Sequence, residues 1–285
     1  FAAEDVAGAV IRSNALQSAD ARKLLIDTYL KEYVEFMTTP DSHNDVYAAT
    51  AHRMFFANYI RQLPLDKCAD NDGHNTDSID GMINVVPFTL VRTLLQSSSA
   101  TTTSAAPADG GTSGTADTNV RRQWIGSIIN ALRRSEELPR WGLLYDELLS
   151  KVLLGADLRT AVLDVAAQID GRLPEMLRRA GAADDSGDSD PMTACYIHSS
   201  FPAMLVFAYK YADRPKAALL ASANAGGENV NRSAILGALI GAAHGPDFDL
   251  GLKKGLVFHE SYEEEVENFL RVFGKSRGES GRAEL

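Results

Sequence analysis

Ala225–Gly245 reads AGGENVNRSAILGALIGAAHG, a glycine loop running into a long apolar segment. Gly226 and Gly227 allow tight backbone geometry. Glu228, Asn229 and Asn231 then set three oxygen-bearing side chains ahead of an apolar run, where either asparagine is placed to cap a helix. From Ser233 to Ala243 the chain is almost wholly apolar, and Ile235 and Leu239 share one face while Gly237 and Gly241 share another. The spacing predicts a buried helix opening from a loop. Each internal glycine costs roughly 1 kcal/mol against alanine, so close approach of another helix to the Gly237/Gly241 face is expected as compensation.

Working outward, helical spacing recurs. Val6, Val10 and Ile11 share a face, as do Leu25, Tyr29, Tyr33 and Phe36 in a run stopped by Thr38-Thr39-Pro40. Asp41 or Ser42 is expected to cap the helix of His52, Phe55 and Tyr59. Trp124 to Leu132 predicts an amphipathic helix ended by Leu138-Pro139, followed by helices over 141–154, 158–169 and 261–273. Residues 97–119 form a Ser/Thr/Ala/Gly tract without apolar periodicity, expected to be a disordered surface insertion. No stretch combines alternating β-branched residues with hairpin turns, so the expected fold is all-α, with residues 1–285 one helical domain.

Composition narrows the function. The 285 residues, 45% hydrophobic, suffice for a substantial core. A net charge of −10 argues against a nucleic-acid backbone as partner. No run reaches the ~20 apolar residues of a membrane span, and the first residues lack a signal-peptide pattern. Cys68 and Cys195 make neither a disulfide framework nor a zinc signature, which suits a reducing, cytoplasmic setting.

The loop of oxygen side chains running into a small-residue helix resembles the closing motif of the ADP-ribosylglycohydrolase family. His198-Ser-Ser-Phe-Pro-Ala-Met-Leu205, then Tyr211-Ala-Asp213 and Ala217-Ala-Leu-Leu220, is similar to the pattern preceding that loop in the family. Thr76-Asp77-Ser78-Ile79-Asp80-Gly81-Met82 leading to Val86-Pro87-Phe88 resembles its central loop and helix. The resemblance implies a compact orthogonal multi-helix bundle. It also implies a magnesium-dependent hydrolase acting on a glycosidic bond to ADP-ribose or a related nucleotide sugar, whether small molecule or ADP-ribosylated substrate.

Departures from the family pattern bear on the metal. After the two glycines the family carries Asp-Thr-Asp-Thr, where this chain reads Glu228, Asn229, Val230 and Asn231. Glu228 is the one candidate ligand left, a weak one, because the Val230 side chain cannot coordinate a cation. The family's Thr-Asp-Asp cluster has no match in the chain, and an N-terminal segment preceding Phe1 is expected.

The candidate substrate-binding residues are His43, Asn44 and Asp45 in a polar turn, and Asp72, His74 and Asp77 in an oxygen-rich loop. His198 and Phe201, at the start of the helix that follows, and Asn229, Asn231 and Arg232 complete the set. His43, Asp45 and His52 match no metal-ligand spacing. By itself, a histidine beside an apolar helix reads as a hydrogen-bonded core residue, and His198-Ser-Ser makes no triad. No catalytic residue is assigned. Two further functions stay open: a metal-depleted binding or structural protein on the same scaffold, and a hydrolase or binder of another small polar ligand.

Overall fold

The computed structural model describes residues 18–43, 47–100, 113–182, 190–245 and 251–273. Eleven α-helices and no β-strand occur among them: α1 (Ala19–Thr38), α2 (Thr50–Ile60), α3 (Val85–Ala100), α4 (Ser113–Ile129), α5 (Leu138–Leu153), α6 (Leu158–Ile169), α7 (Leu173–Ala182), α8 (Ile197–Lys210), α9 (Pro215–Asn224), α10 (Val230–His244) and α11 (His259–Phe273). The all-α expectation holds. None of these helices is long and apolar enough to cross a membrane.

The chain groups into two compact units, residues 1–71, 91–134 and 254–285 in one, 72–90 and 135–253 in the other. In the first, Leu30, Phe55, Cys68, Ala131 and Leu132 form the core, with Ile26, Tyr29, Tyr33, Val34, Phe56 and Leu65 packed against it. Asn58 closes its polar edge, donating through Nδ2 to the Cys68 carbonyl (3.1 Å) and the Asp70 carboxylate (3.2 Å).

The second unit is built around α8, which packs against α5, α6, α7, α9 and α10. Its composition explains this: Ile197, Ser200, Phe201, Ala203, Met204, Leu205, Phe207, Ala208 and Lys210 are all buried, so it is apolar on most of its circumference. Asp157 caps α6 by accepting from the Thr160 N–H at 2.8 Å. Tyr145 on α5, fully buried, donates to the Ile235 carbonyl of α10 at 2.8 Å and ties the two helices together.

Several local expectations change. α1 ends at Thr38 as predicted, but Asp41 and Ser42 serve that end and do not start α2. Asp41 takes a left-handed φ of 63°, and the Ser42 hydroxyl donates back to the Phe36 carbonyl at 2.5 Å. Pro139 stands in the first turn of α5, where a missing N–H costs nothing, instead of closing the preceding helix. Within the tract expected to be disordered, 97–100 belong to α3 and 113–119 to α4, with 101–112 outside the described residues. Serine, threonine and alanine extend a helix begun by stronger neighbours at little cost.

The largest correction concerns the glycines of α10. The helix buries Arg232, Ile235, Leu236, Leu239 and Ile240, which leaves Gly237 and Gly241 on its half-buried flank. A Cβ at Gly237 meets only Leu219 Cδ2 at an ordinary 3.7 Å, and one at Gly241 meets nothing within 4 Å. No close helix approach uses this face. Gly237→Ala and Gly241→Ala are therefore expected to leave stability unchanged or raise it by up to about 1 kcal/mol each, as helix propensity alone dictates, in urea unfolding. A loss above ~1 kcal/mol in either variant contradicts this packing.

Candidate active site

Three segments of the second unit lie side by side, and backbone hydrogen bonds hold them there. The Asp72–Asp80 loop meets the segment before α8 where the Ile197 N–H donates to the Asp77 carbonyl and the Ile79 N–H to the Cys195 carbonyl, both at 2.9 Å. On its other side this segment meets the glycine loop, where the Glu228 N–H donates to the Thr193 carbonyl at 2.8 Å. Isolated bridges pair Ser78 with Tyr196 and Thr193 with Gly227.

Gly227 is what allows the second contact. Its φ is +64°, and a Cβ there would stand 2.2 Å from the Thr193 carbonyl oxygen. Gly226 is also left-handed, at +74°, yet its nearest foreign atom would be Met192 Sδ at 3.8 Å. The close approach that the sequence suggests for the helix glycines belongs to the loop.

The Asp72 carboxylate organises its own loop. Oδ1 accepts from the N–H groups of His74 (3.1 Å), Asn75 (2.8 Å) and Thr76 (3.0 Å) and from the Thr76 hydroxyl (2.9 Å), while Oδ2 accepts from Asn75 Nδ2 (2.8 Å). Burial alone would raise the pKa of Asp72, but these donors outweigh it and hold the carboxyl well below the usual carboxylate range. Asp77 Oδ1 accepts from the Ser135 hydroxyl at 2.5 Å, and Ser135 Oγ in turn accepts from the Leu138 N–H at the start of α5. Asp80 accepts a short hydrogen bond from Ser78 Oγ.

On the opposite side, Glu228 Oε1 accepts from the N–H (3.1 Å) and Nδ2 (2.9 Å) of Asn231. It therefore caps α10, a task expected of an asparagine; Asn229 instead donates from Nδ2 to the Ala223 carbonyl at 2.9 Å. Cys195 has its thiol pKa pushed up by burial first and then by the negative charges of Glu228 and Asp80. Both cysteines are free thiols.

The predicted residues thus divide. His74, Asp72, Asp77, His198, Glu228, Asn229 and Asn231 belong to or flank the three joined segments. His74 Nε2 and the Tyr196 hydroxyl share a hydrogen bond of 2.8 Å. His198 is not the core residue its context suggested: its side chain is 64% exposed, edge-on to Trp141 with ring centroids 5.3 Å apart and 4.0 Å from Glu137. Phe201 and Arg232 are fully buried, so neither presents a face to a ligand. Phe201 packs on Trp141 and Tyr145. Arg232 donates to Ser222 Oγ (3.1 Å), the Ser222 carbonyl (2.7 Å), the Gly226 carbonyl (3.1 Å) and Thr193 Oγ1 (3.4 Å). His43 lies in the other unit, against Phe36, and Asn44 and Asp45 lie outside the described residues. Sequence reasoning passed over Thr193, Cys195, Tyr196 and Ser135, whose roles rest on backbone pairing that no local pattern announces.

The donor set does not fit a pair of metal ions. Glu228 has one oxygen engaged in capping, Val230 is a hydrocarbon 73% exposed where the second aspartate would be, and no group of three or more His, Cys, Asp or Glu among the described residues is placed to hold an ion.

The all-α fold, with its glycine loop and central acidic loop joined through 193–197, is of the class the sequence resemblance implies. The chain belongs to the ADP-ribosylglycohydrolase family, whose model matches residues 7–277. The family acts on ADP-ribosylated substrates and is usually metal-dependent. No curated protein and no solved structure matches the chain.

Two outcomes test this geometry. Gly227→Ala is expected to lose about 1–3 kcal/mol through overpacking on Thr193, in addition to ~1 kcal/mol for its left-handed backbone, whereas Gly226→Ala incurs only the second cost. Urea unfolding of both variants gives the order, and equal losses count against the close approach. Asp72, depressed in the folded state, contributes stability that is complete above its ordinary value near 3.8 and lost as pH falls below it. The 74–76 amides are expected to lose exchange protection on acidification through that range, after correction for intrinsic rates. Asp72→Asn should lack this pH step.

Proposed function

We propose that the chain hydrolyses a glycosidic bond to ADP-ribose or a related nucleotide sugar at the edge formed by 72–80, 193–198 and 226–231. The supporting observation is the backbone pairing of Thr193 with Gly227 and of Ser78 with Tyr196, which joins the loops carrying Asp80 and Glu228 through one segment. Two carboxylates on joined loops suit glycoside chemistry: one takes a proton from the attacking water, and the other stabilises the positive charge developing at the anomeric carbon. His198 and Tyr196 add polar, exposed contacts beside them.

Magnesium has a minor place here. Glu228 is the single carboxylate in the family's closing motif, so titration calorimetry is expected to show no magnesium site tighter than about millimolar. The unpaired cysteines and the net charge of −10 fit a cytoplasmic protein that acts on small-molecule or protein-linked ADP-ribose and not on nucleic acid.

The experiment is release of free ADP-ribose from an ADP-ribosylated peptide, followed by chromatography with and without magnesium. Turnover that falls at least ~100-fold in Asp80→Asn and Glu228→Gln, with unchanged melting, is the expected result. Binding of ADP-ribose without turnover supports the alternative, a ligand-binding protein on the same scaffold. Neither binding nor turnover overturns both.

A further inference from the structure

We propose that Arg232 is a built-in cation that positions the glycine loop, so that the loop keeps its working shape without a divalent ion. Where the family's closing motif offers a second carboxylate this chain has Val230, and one oxygen of Glu228 is engaged in capping α10. The loop nevertheless needs an anchor. Gly226 and Gly227 are left-handed in succession, at φ +74° and +64°, and two adjacent glycines reach many other conformations at little cost.

Arg232 supplies that anchor from inside. Its side chain is fully buried, and its guanidinium makes four hydrogen bonds. Nη2 donates to the Ser222 carbonyl (2.7 Å) and the Gly226 carbonyl (3.1 Å), Nε to Ser222 Oγ (3.1 Å) and Nη1 to Thr193 Oγ1 (3.4 Å). Ser222 Oγ is held in turn by the Ser233 hydroxyl, which donates to it at 2.8 Å. One planar group thus ties together the end of α9, the turn at Gly226 and the segment whose Thr193 carbonyl accepts from the Glu228 N–H. A bound metal gathers loops by attracting their oxygens. A guanidinium does so with directed N–H groups and stays charged at any working pH. Burial opposes that charge, and the negative charge of Glu228 favours it. Lysine is no substitute, because an ammonium is a point donor on a flexible stem and cannot span acceptors set around a plane.

Hydrogen exchange at the Glu228 amide reports the loop directly and stands without the hydrolase reading, on which the activity measurement rests. In the parent chain, protection of that amide should be the same in EDTA and in millimolar magnesium, and so should release of ADP-ribose from an ADP-ribosylated peptide. Arg232→Lys keeps the charge and loses the spread of donors. With circular dichroism matching the parent, it should exchange the Glu228 amide faster in both media and lower kcat about 10–100-fold while KM stays close to the parent value. Ser222→Ala, which removes one acceptor and leaves the arginine, should move both readouts the same way by less. Magnesium that raises the parent's protection overturns the proposal. So does a folded Arg232→Lys whose melting falls but whose Glu228 exchange and kcat match the parent, the result a purely structural arginine would give. A parent without any turnover sinks the hydrolase reading instead, and the exchange comparison then decides this one.

Discussion

A buried cation must have its N–H groups met, and Arg232 meets that requirement in a way that shapes the candidate active site. Its guanidinium sits 5.0 Å over the Phe207 ring and donates to Ser222, Gly226 and Thr193. Burial lowers its pKa and the neighbouring Glu228 raises it, but an arginine remains charged, so every donor left without a partner would cost free energy. Fixing four acceptor atoms on three residues at once fixes the end of α9, the turn at Gly226 and the segment at Thr193 relative to α10. The glycine loop is thus set from beneath by a fully buried residue.

A second buried charge pins the other end of the same segment. Lys210, at the end of α8, is paired with Asp190 at 2.8 Å, and the Tyr211 hydroxyl donates to the second carboxylate oxygen at 2.7 Å. Burial opposes the lysine charge, yet the bonds to Asp190 raise its pKa on balance. Such a pair adds little net stability, because desolvation offsets most of the attraction. Its consequence is geometric. With Asp190 anchored below and Thr193 and Cys195 hydrogen-bonded on either side, 190–197 holds one course between two loops, although it has no regular secondary structure of its own until α8 begins.

Much of the candidate site was legible because its parts are local. Glycines 226 and 227, the oxygen side chains after them and the acidic loop at 72–80 announce a polar edge by composition, and the apolar run after Ser233 announces the helix beneath it. What stayed hidden is how each group is used. Glu228 is a side chain able to bind a cation and able to cap a helix, and only the positions of Asn231 N and Nδ2 decide for the cap. His198 and Phe201 are three residues apart at the start of one helix, yet one is exposed beside Glu137 and the other is enclosed by Trp141 and Tyr145.

The sequence by itself determined the helical class and the location of the main loops, and its closing motif determined the family, because periodicity and glycine placement are read over a few residues. It also determined that the family's second aspartate is a valine. The tertiary structure alone decided which glycine is indispensable and which charges are buried. Those depend on which face of a helix meets a neighbour far along the chain. Gly241 and Gly227 look alike in sequence; one borders open space and the other a carbonyl oxygen, and the difference is made by Thr193, thirty-four positions before Gly227.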